Sequence, residues 1–179
     1  MAISKIGNAG LPTGSVLQVV SSTKKDDFST TSTSYVDIDG TDQSGGGSVF
    51  CVKITPASTS NKVLVMVQCA IVGSGSVGLQ LVRDSTSASN QSIFLADADG
   101  SRQRYTMLGM LGTASNEVYN HGANHIHFLD SPSSTSELTY KVQGIARSGD
   151  FIINASEYNL DNNASARTVS VITAMEIAG

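Results

Sequence analysis

Between Glu137 and Gly144 the sequence ELTYKVQG alternates strictly. Leu138, Tyr140 and Val142 fall on one side; Glu137, Thr139, Lys141 and Gln143 fall on the other. A period of two predicts a strand with one dry and one wet face. TVSVITAMEI near the C-terminus also alternates: Val169, Val171, Thr173, Met175 and Ile177 share a face. Its other face, Ser170, Ile172, Ala174 and Glu176, is only partly polar. Val63 to Val72, VLVMVQCAIV, is apolar almost throughout, so both faces of that strand should be covered. One cover is an opposing sheet; the other is a loop or a second subunit.

No window of a dozen residues holds apolar positions at helical spacing. Short β-branched runs bounded by Gly, Ser, Asn or Pro recur instead. They predict strands near Val16–Ser21, Tyr35–Ile38, Val49–Ile54, Val63–Val72, Val77–Arg83 and Ser92–Leu95. Further strands are expected near Gln103–Leu111, His125–Leu129, Leu138–Ile145, Phe151–Asn154 and Thr168–Ile177. This pattern predicts an all-β chain folded as an antiparallel two-sheet sandwich, with a jelly roll as the natural winding. An immunoglobulin-type sandwich is the alternative, but Trp is absent and the cysteine spacing differs. Two segments echo each other: ITPASTSNKVLV (Ile54 to Val65) and DSPSSTSELTYKV (Asp130 to Val142) both carry Pro-x-Ser-Thr-Ser between strands. Pro56 and Pro132 would each end a strand, and the hydroxyls that follow would hold a bend. The expectation is two hairpin-like units of similar design. Residues 1–14 read as an extended arm, residues 15–179 as one domain, and Thr41–Gly47 as a flexible loop.

Composition narrows the function classes. Of the 179 residues, 40% are hydrophobic and only 15% charged, so Ser, Thr, Asn and Gly make the surface polar and uncharged. Eleven basic and 15 acidic residues give a net charge of −4 with no basic stripe, which argues against nucleic acid. No apolar run reaches bilayer length, so no membrane insertion is expected. The N-terminus has no apolar stretch of the kind a secretory signal needs, so folding in a cytoplasm is expected. Cys51 and Cys69 each sit in an apolar run and read as free, buried thiols.

Candidate chemistry is sparse. All three histidines, His121, His125 and His127, lie within HGANHIHFLD. His125-x-His127 places two imidazoles on one face of a strand, a weak metal candidate that only Asp130 could complete. The favoured reading is polar side chains outward, with Ile126 and Phe128 inward. Asp37-Ile-Asp39-Gly40-Thr-Asp42 has calcium-like carboxylate spacing but lacks a late bidentate Glu; Asp97-Ala-Asp99-Gly100 is weaker still. Both read better as solvated turns. The sequons at Asn90, Asn154 and Asn163 are formal only, and VGSGSVG (Val72 to Gly78) lacks the Lys-Ser/Thr of a phosphate loop and reads as a tight turn. Paired carboxylates for glycan hydrolysis are a minor alternative, since the acids lie mostly in turns. No catalytic residue, metal or cofactor is assigned.

Four stretches in order carry a resemblance: Leu11 to Ile38, Ile54 to Val67, Phe128 to Gln143, and the ending VSVITAMEIAG. Together they resemble small structural proteins of bacteriophages, especially phages of aquatic bacteria and cyanobacteria, of the tail-fibre or virion structural type. The likeness spans nearly the whole chain after Leu11. It implies a compact β-sandwich forming a homotrimer, carried on the virion after synthesis in the host cytoplasm, with no catalytic residues. Members of that group run directly from a YVD-type strand to an ITP-type turn, whereas here DGTDQSGGG intervenes. With no shaft or repeat region, the chain is expected to be a tip, adaptor or knob. In a trimer, a His near the axis would occur three times and could ligate one ion. The first expectation is a trimeric fibre tip that attaches to a host surface glycan or protein. The alternative is a capsid decoration (cement) protein gripping other virion proteins through residues 1–14.

Overall fold

The computed structural model describes residues 11–111, 122–157, 160–162 and 165–179. Its strands are β1 (Val16–Lys24), β2 (Phe28–Thr30), β3 (Val36–Asp37), β4 (Cys51–Ile54), β5 (Lys62–Gly73), β6 (Val77–Asp84) and β7 (Gln91–Phe94). They continue with β8 (Met107–Leu108), β9 (Met110–Leu111), β10 (Gly122–Asp130), β11 (Leu138–Ala146), β12 (Phe151–Ile153) and β13 (Ser170–Ile177). Sheet I has seven strands: the order β1-β13-β5-β12-β2, with β10 and β9 on the other side of β5. Sheet II has six: the order β3-β11-β6-β7, with β4 also on β11 and β8 also on β6. Among the described residues every pairing is antiparallel except the two-residue β5–β9 contact. The all-β antiparallel sandwich is therefore the fold, as the alternation requires.

Two departures have local causes. The run expected near Gln103–Leu111 splits at Gly109 into β8 on sheet II and β9 on sheet I. A Cβ at Gly109 would lie 2.6 Å from Val77 Cγ2, so the bend needs the bare glycine backbone. β2 was not expected, because three residues in a Ser/Thr/Asp-rich stretch carry no usable period.

The two Pro-x-Ser-Thr-Ser turns form as expected. Ser58 Oγ accepts the Ser60 amide at 3.3 Å, and Ser134 Oγ accepts the Ser136 amide at 3.0 Å. The units they open are not hairpins, however. Pro56–Ser60 carries the chain from β4 in sheet II to β5 in sheet I, and Pro132–Ser136 from β10 in sheet I to β11 in sheet II. The next turns cross as well, from β5 to β6 and from β11 to β12. So β4-β5-β6 and β10-β11-β12 trace the same path from opposite sheets. The middle strand β5 pairs with β10 and β12, and the middle strand β11 pairs with β4 and β6. Hydrogen bonding cannot close within one unit, so each unit supplies the ladder partners of the other.

The core lies between the sheets. Val63, Val65, Val67 and Cys69 of β5 face Leu79, Leu81, Tyr140 and Val142, all at 2% exposure or less. At the end carrying the Pro-x-Ser-Thr-Ser turns, two buried carboxylates close the sandwich. Asp130 Oδ2 accepts from Arg83 at 2.6 Å and from the Tyr140 hydroxyl at 2.7 Å, tying β10 to sheet II. Burial, followed by the Asp130 hydrogen bond and charge, pushes the Tyr140 phenol well above its ordinary range. Glu176 accepts from Asn61 and the Ala57 amide at 2.6 Å and from Gln18 at 2.7 Å, which pins the first turn.

TVSVITAMEI turns its more polar side inward: Ser170, Ile172, Ala174 and Glu176 are buried, while Val171, Thr173, Met175 and Ile177 are half-buried outside. Residues 1–10 of the expected arm lie outside the described residues. Gly14 is tethered, its amide donating to Ala178 O at 2.8 Å.

Candidate functional site

The outer face of sheet II carries most of the chain's organised polar chemistry. Lys141, Gln143 and Gln80 point away from the core, on the side the alternation marks as wet. They are nonetheless buried, at 6%, 5% and 6% exposure. Two excursions roof them: residues 37–51, between β3 and β4, and residues 84–91, between β6 and β7. Lys141 Nζ lies 3.0 Å from Asp37 Oδ2 and 3.0 Å from Asp84 Oδ2, so one ammonium holds the root of both loops. Burial pulls the Lys141 pKa down, but the hydrogen bonds and charges of Asp84 and Asp37 outweigh it and hold it above the ordinary lysine value. Gln143 donates to Asp37 Oδ1 at 2.7 Å and to Asn90 Oδ1 at 3.0 Å. Gln80 donates to Gln143 Oε1 at 2.7 Å and accepts from Ser92 Oγ at 2.7 Å.

The Thr41–Gly47 stretch is a built turn. Asp42 Oδ1 accepts the amides of Ser44 and Gly46 and the Ser44 hydroxyl, at 2.9, 3.2 and 2.8 Å. Lys53 Nζ meets Asp42 Oδ2 at 3.1 Å, and Gln43 exchanges two hydrogen bonds with the Lys53 backbone. Gly45 and Gly47 sit at φ 77° and 83°, where a side chain would be strained. The Ser44 hydroxyl, then Lys53, then the Ser44 amide hold the Asp42 carboxyl at about 2. A cleft of about 230 Å³ opens beside this turn, lined by Asp42, Ser48, Cys51, Lys53, Asp84 and Lys141, among others. It is smaller than the ~300–1,000 Å³ of ordinary small-molecule pockets. Its charges are already paired, which leaves hydroxyls, amides and the part-exposed Lys53 to meet a partner.

The expected site residues disperse. His125 and His127 do share the outward face of β10, with Ile126 inward, but their row neighbours across β5 are Gln68 and Met66. Asp130, three residues beyond His127, falls on the opposite face with Ile126 and turns inward to Arg83. His121 lies outside the described residues. No group of three His, Cys, Asp or Glu that could hold a metal occurs among the described residues. The calcium-like run also separates: Asp37 goes to Lys141, Asp39 to Lys24 at 2.8 Å, and Asp42 to Lys53. Each carboxylate meets its own lysine, so the run does not converge on one point. Asp99 pairs with Arg102.

Two carboxylate pairs do share a partner: Asp37 with Asp84 at Lys141, and Asp26 with Asp39 at Lys24. In each, one lysine ammonium lies within 3.0 Å of both carboxylates. Cys51 and Cys69 are free and buried, and they lie on opposite sides of sheet II. Cys51, in register with Lys141, faces the cleft, whereas Cys69 lies in the core. Burial raises both thiols, Cys69 to about 12.

Sequence reasoning missed Lys141, Gln143 and Gln80 as a network. The available signal was the pair of Asp/Asn-rich excursions flanking strands with outward Lys and Gln. No family model matches the chain, and no curated protein matches it.

Proposed function

We propose that this chain is a non-enzymatic virion structural protein of a bacteriophage. In this reading it is a jelly-roll-like, trimeric knob at a tail or fibre tip that attaches to a host surface glycan or protein. It is made in the host cytoplasm and acts on the particle. One observation supports the reading most: the polar loops 41–47 and 85–91 are fixed side by side on one sheet face through Lys141, Asp37 and Asp84. Loops rich in Ser, Thr, Asn and Gly, held rigid beforehand, lose little entropy on meeting a hydroxyl-rich surface. Weak single contacts of this kind gain strength when several copies act together. The sequence resemblance to phage structural proteins adds to this.

Gold labelling of intact particles with an antibody to this chain tests the proposal. Label at the tail end supports attachment, and label over the head favours the decoration role through residues 1–14. Particles without label overturn both. Release of reducing sugar from host polysaccharide by the purified chain would overturn the non-enzymatic reading.

A further inference from the structure

The outer face of sheet I is the opposite of the roofed face of sheet II. Its upper part, around Val72 and Ile152, is covered by the chain's own return after β12, where Val72, Ile152 and Ala155 form a separate buried cluster. Below that, four strands lie open. One row crosses all of them: Val19, Met175, Leu64 and Leu129 stand side by side in register. Val19 is 54% and Leu129 48% exposed. The next row adds Met66, and Ile177 lies on the other side. Lys62 is the one formally charged side chain pointing outward on these rows, although the chain carries 26 charged residues.

We infer that this open face is covered by another copy of the same chain. The inference rests on the trimeric reading above and names the surface involved. Charge is the first argument. An acidic partner finds only Lys62 here, a basic partner finds no carboxylate, and a lipid surface finds no basic cluster. A copy of this chain brings the same apolar strip, whose face rows hold no carboxylate and one lysine, at a corner. Composition is the second: charge-poor, Met-containing surface is what the centre of a protein interface is made of. Extent is the third. Four strands by seven residues present roughly 400 Å², the size of a functional patch but only about half of one partner's share in a standard interface. The remainder lies around the β10 edge. There Phe94, 40% exposed, stacks on Phe128 at 4.8 Å beside Leu129. An apolar strip that turns from a face onto an edge allows one copy's edge to meet the next copy's face. Such a heterologous contact gives a ring when its rotation closes and an open filament when it does not.

The test is the mass of the purified full chain, read by light scattering across a dilution series, for wild type and for Leu64→Lys with Met175→Lys. The expected result is an oligomeric wild type and a monomeric variant with unchanged circular dichroism. If that variant does not fold, Val19→Lys, already exposed in the single chain, carries the same expectation. Thr86→Lys, in the loop on sheet II, should leave the mass unchanged. A wild type that is monomeric throughout overturns the inference and the trimer together. An oligomer that folded Leu64, Met175 and Val19 variants leave intact overturns the face alone. Neither result touches virion attachment, which the labelling experiment decides separately.

Discussion

The outer faces of the two sheets differ both in sequence and in what covers them. On sheet II, Lys141, Gln143 and Gln80 sit at strand positions that normally face water, yet they are buried beneath two loops and hydrogen-bonded throughout. On sheet I, Leu64, Met66 and Met175 sit at equivalent positions and stay half-exposed. The chain covers its polar face and leaves its apolar one open. A buried amide or ammonium needs specific partners, and Asp37, Asp84 and Asn90 can provide them from loops. An apolar face needs only contact, which a second molecule can provide as well as a loop can. The difference marks sheet II as the face that shapes loops and sheet I as the face that meets another surface.

The largest effect should come from Lys141→Ala. Removing the ammonium leaves Asp37 and Asp84 facing each other at the loop roots. Fully buried pairs lose about 3–5 kcal/mol when one partner goes; here the two acids keep about a third of their exposure, so about 2 kcal/mol is expected. Urea denaturation measures it, and an unchanged midpoint would mean that the roof is held by something else.

Asp42 gives a pH window on the same roof. Its carboxyl sits at about 2 when folded, below its ordinary 3.8. Its contribution is therefore complete above about pH 4 and is lost as the pH falls through about 2. Protection of the Ser44 and Gly46 amides, relative to the intrinsic exchange rate at each pH, should fall across that interval in wild type. In Asp42→Asn it should already be low at neutral pH and show no such step.

The thiols divide the inside of the sandwich from the cleft. Cys51, at 5% exposure beside the cleft, should react with a thiol reagent at least about tenfold faster than Cys69 in the core. Equal rates would mean that the cleft does not admit the reagent. The smallest effect belongs to the open face. Leu64→Thr with Met175→Thr, measured on dissociated chains, should change stability by no more than about 0.5 kcal/mol, because those side chains already meet water there.

Much of the fold was legible along the chain. Alternation in ELTYKVQG located β11 to within a residue, and the Pro-x-Ser-Thr-Ser repeat marked two real turns whose serines accept backbone amides as expected. The crossing of those turns between sheets was not legible, since a turn's local hydrogen bonds are the same whether the next strand pairs beside it or across the core. The candidate site was harder still. The spacing of Asp37, Asp39 and Asp42 reads as solvated turns with calcium as a lesser reading, but three different lysines take one carboxylate each. His125 and His127 do share one face, and the same period of two puts Asp130 on the other, where it meets Arg83.

The sequence by itself determined that this chain is all-β, where most strands begin and end, and which side chains share a face. These follow from backbone geometry, whose period of two acts within a few residues. Only the tertiary structure decided which face is roofed and which stays open, and which lysine each aspartate meets. Those outcomes depend on partners brought together across long stretches of chain, 104 positions for Asp37 and Lys141, and no local pattern encodes them.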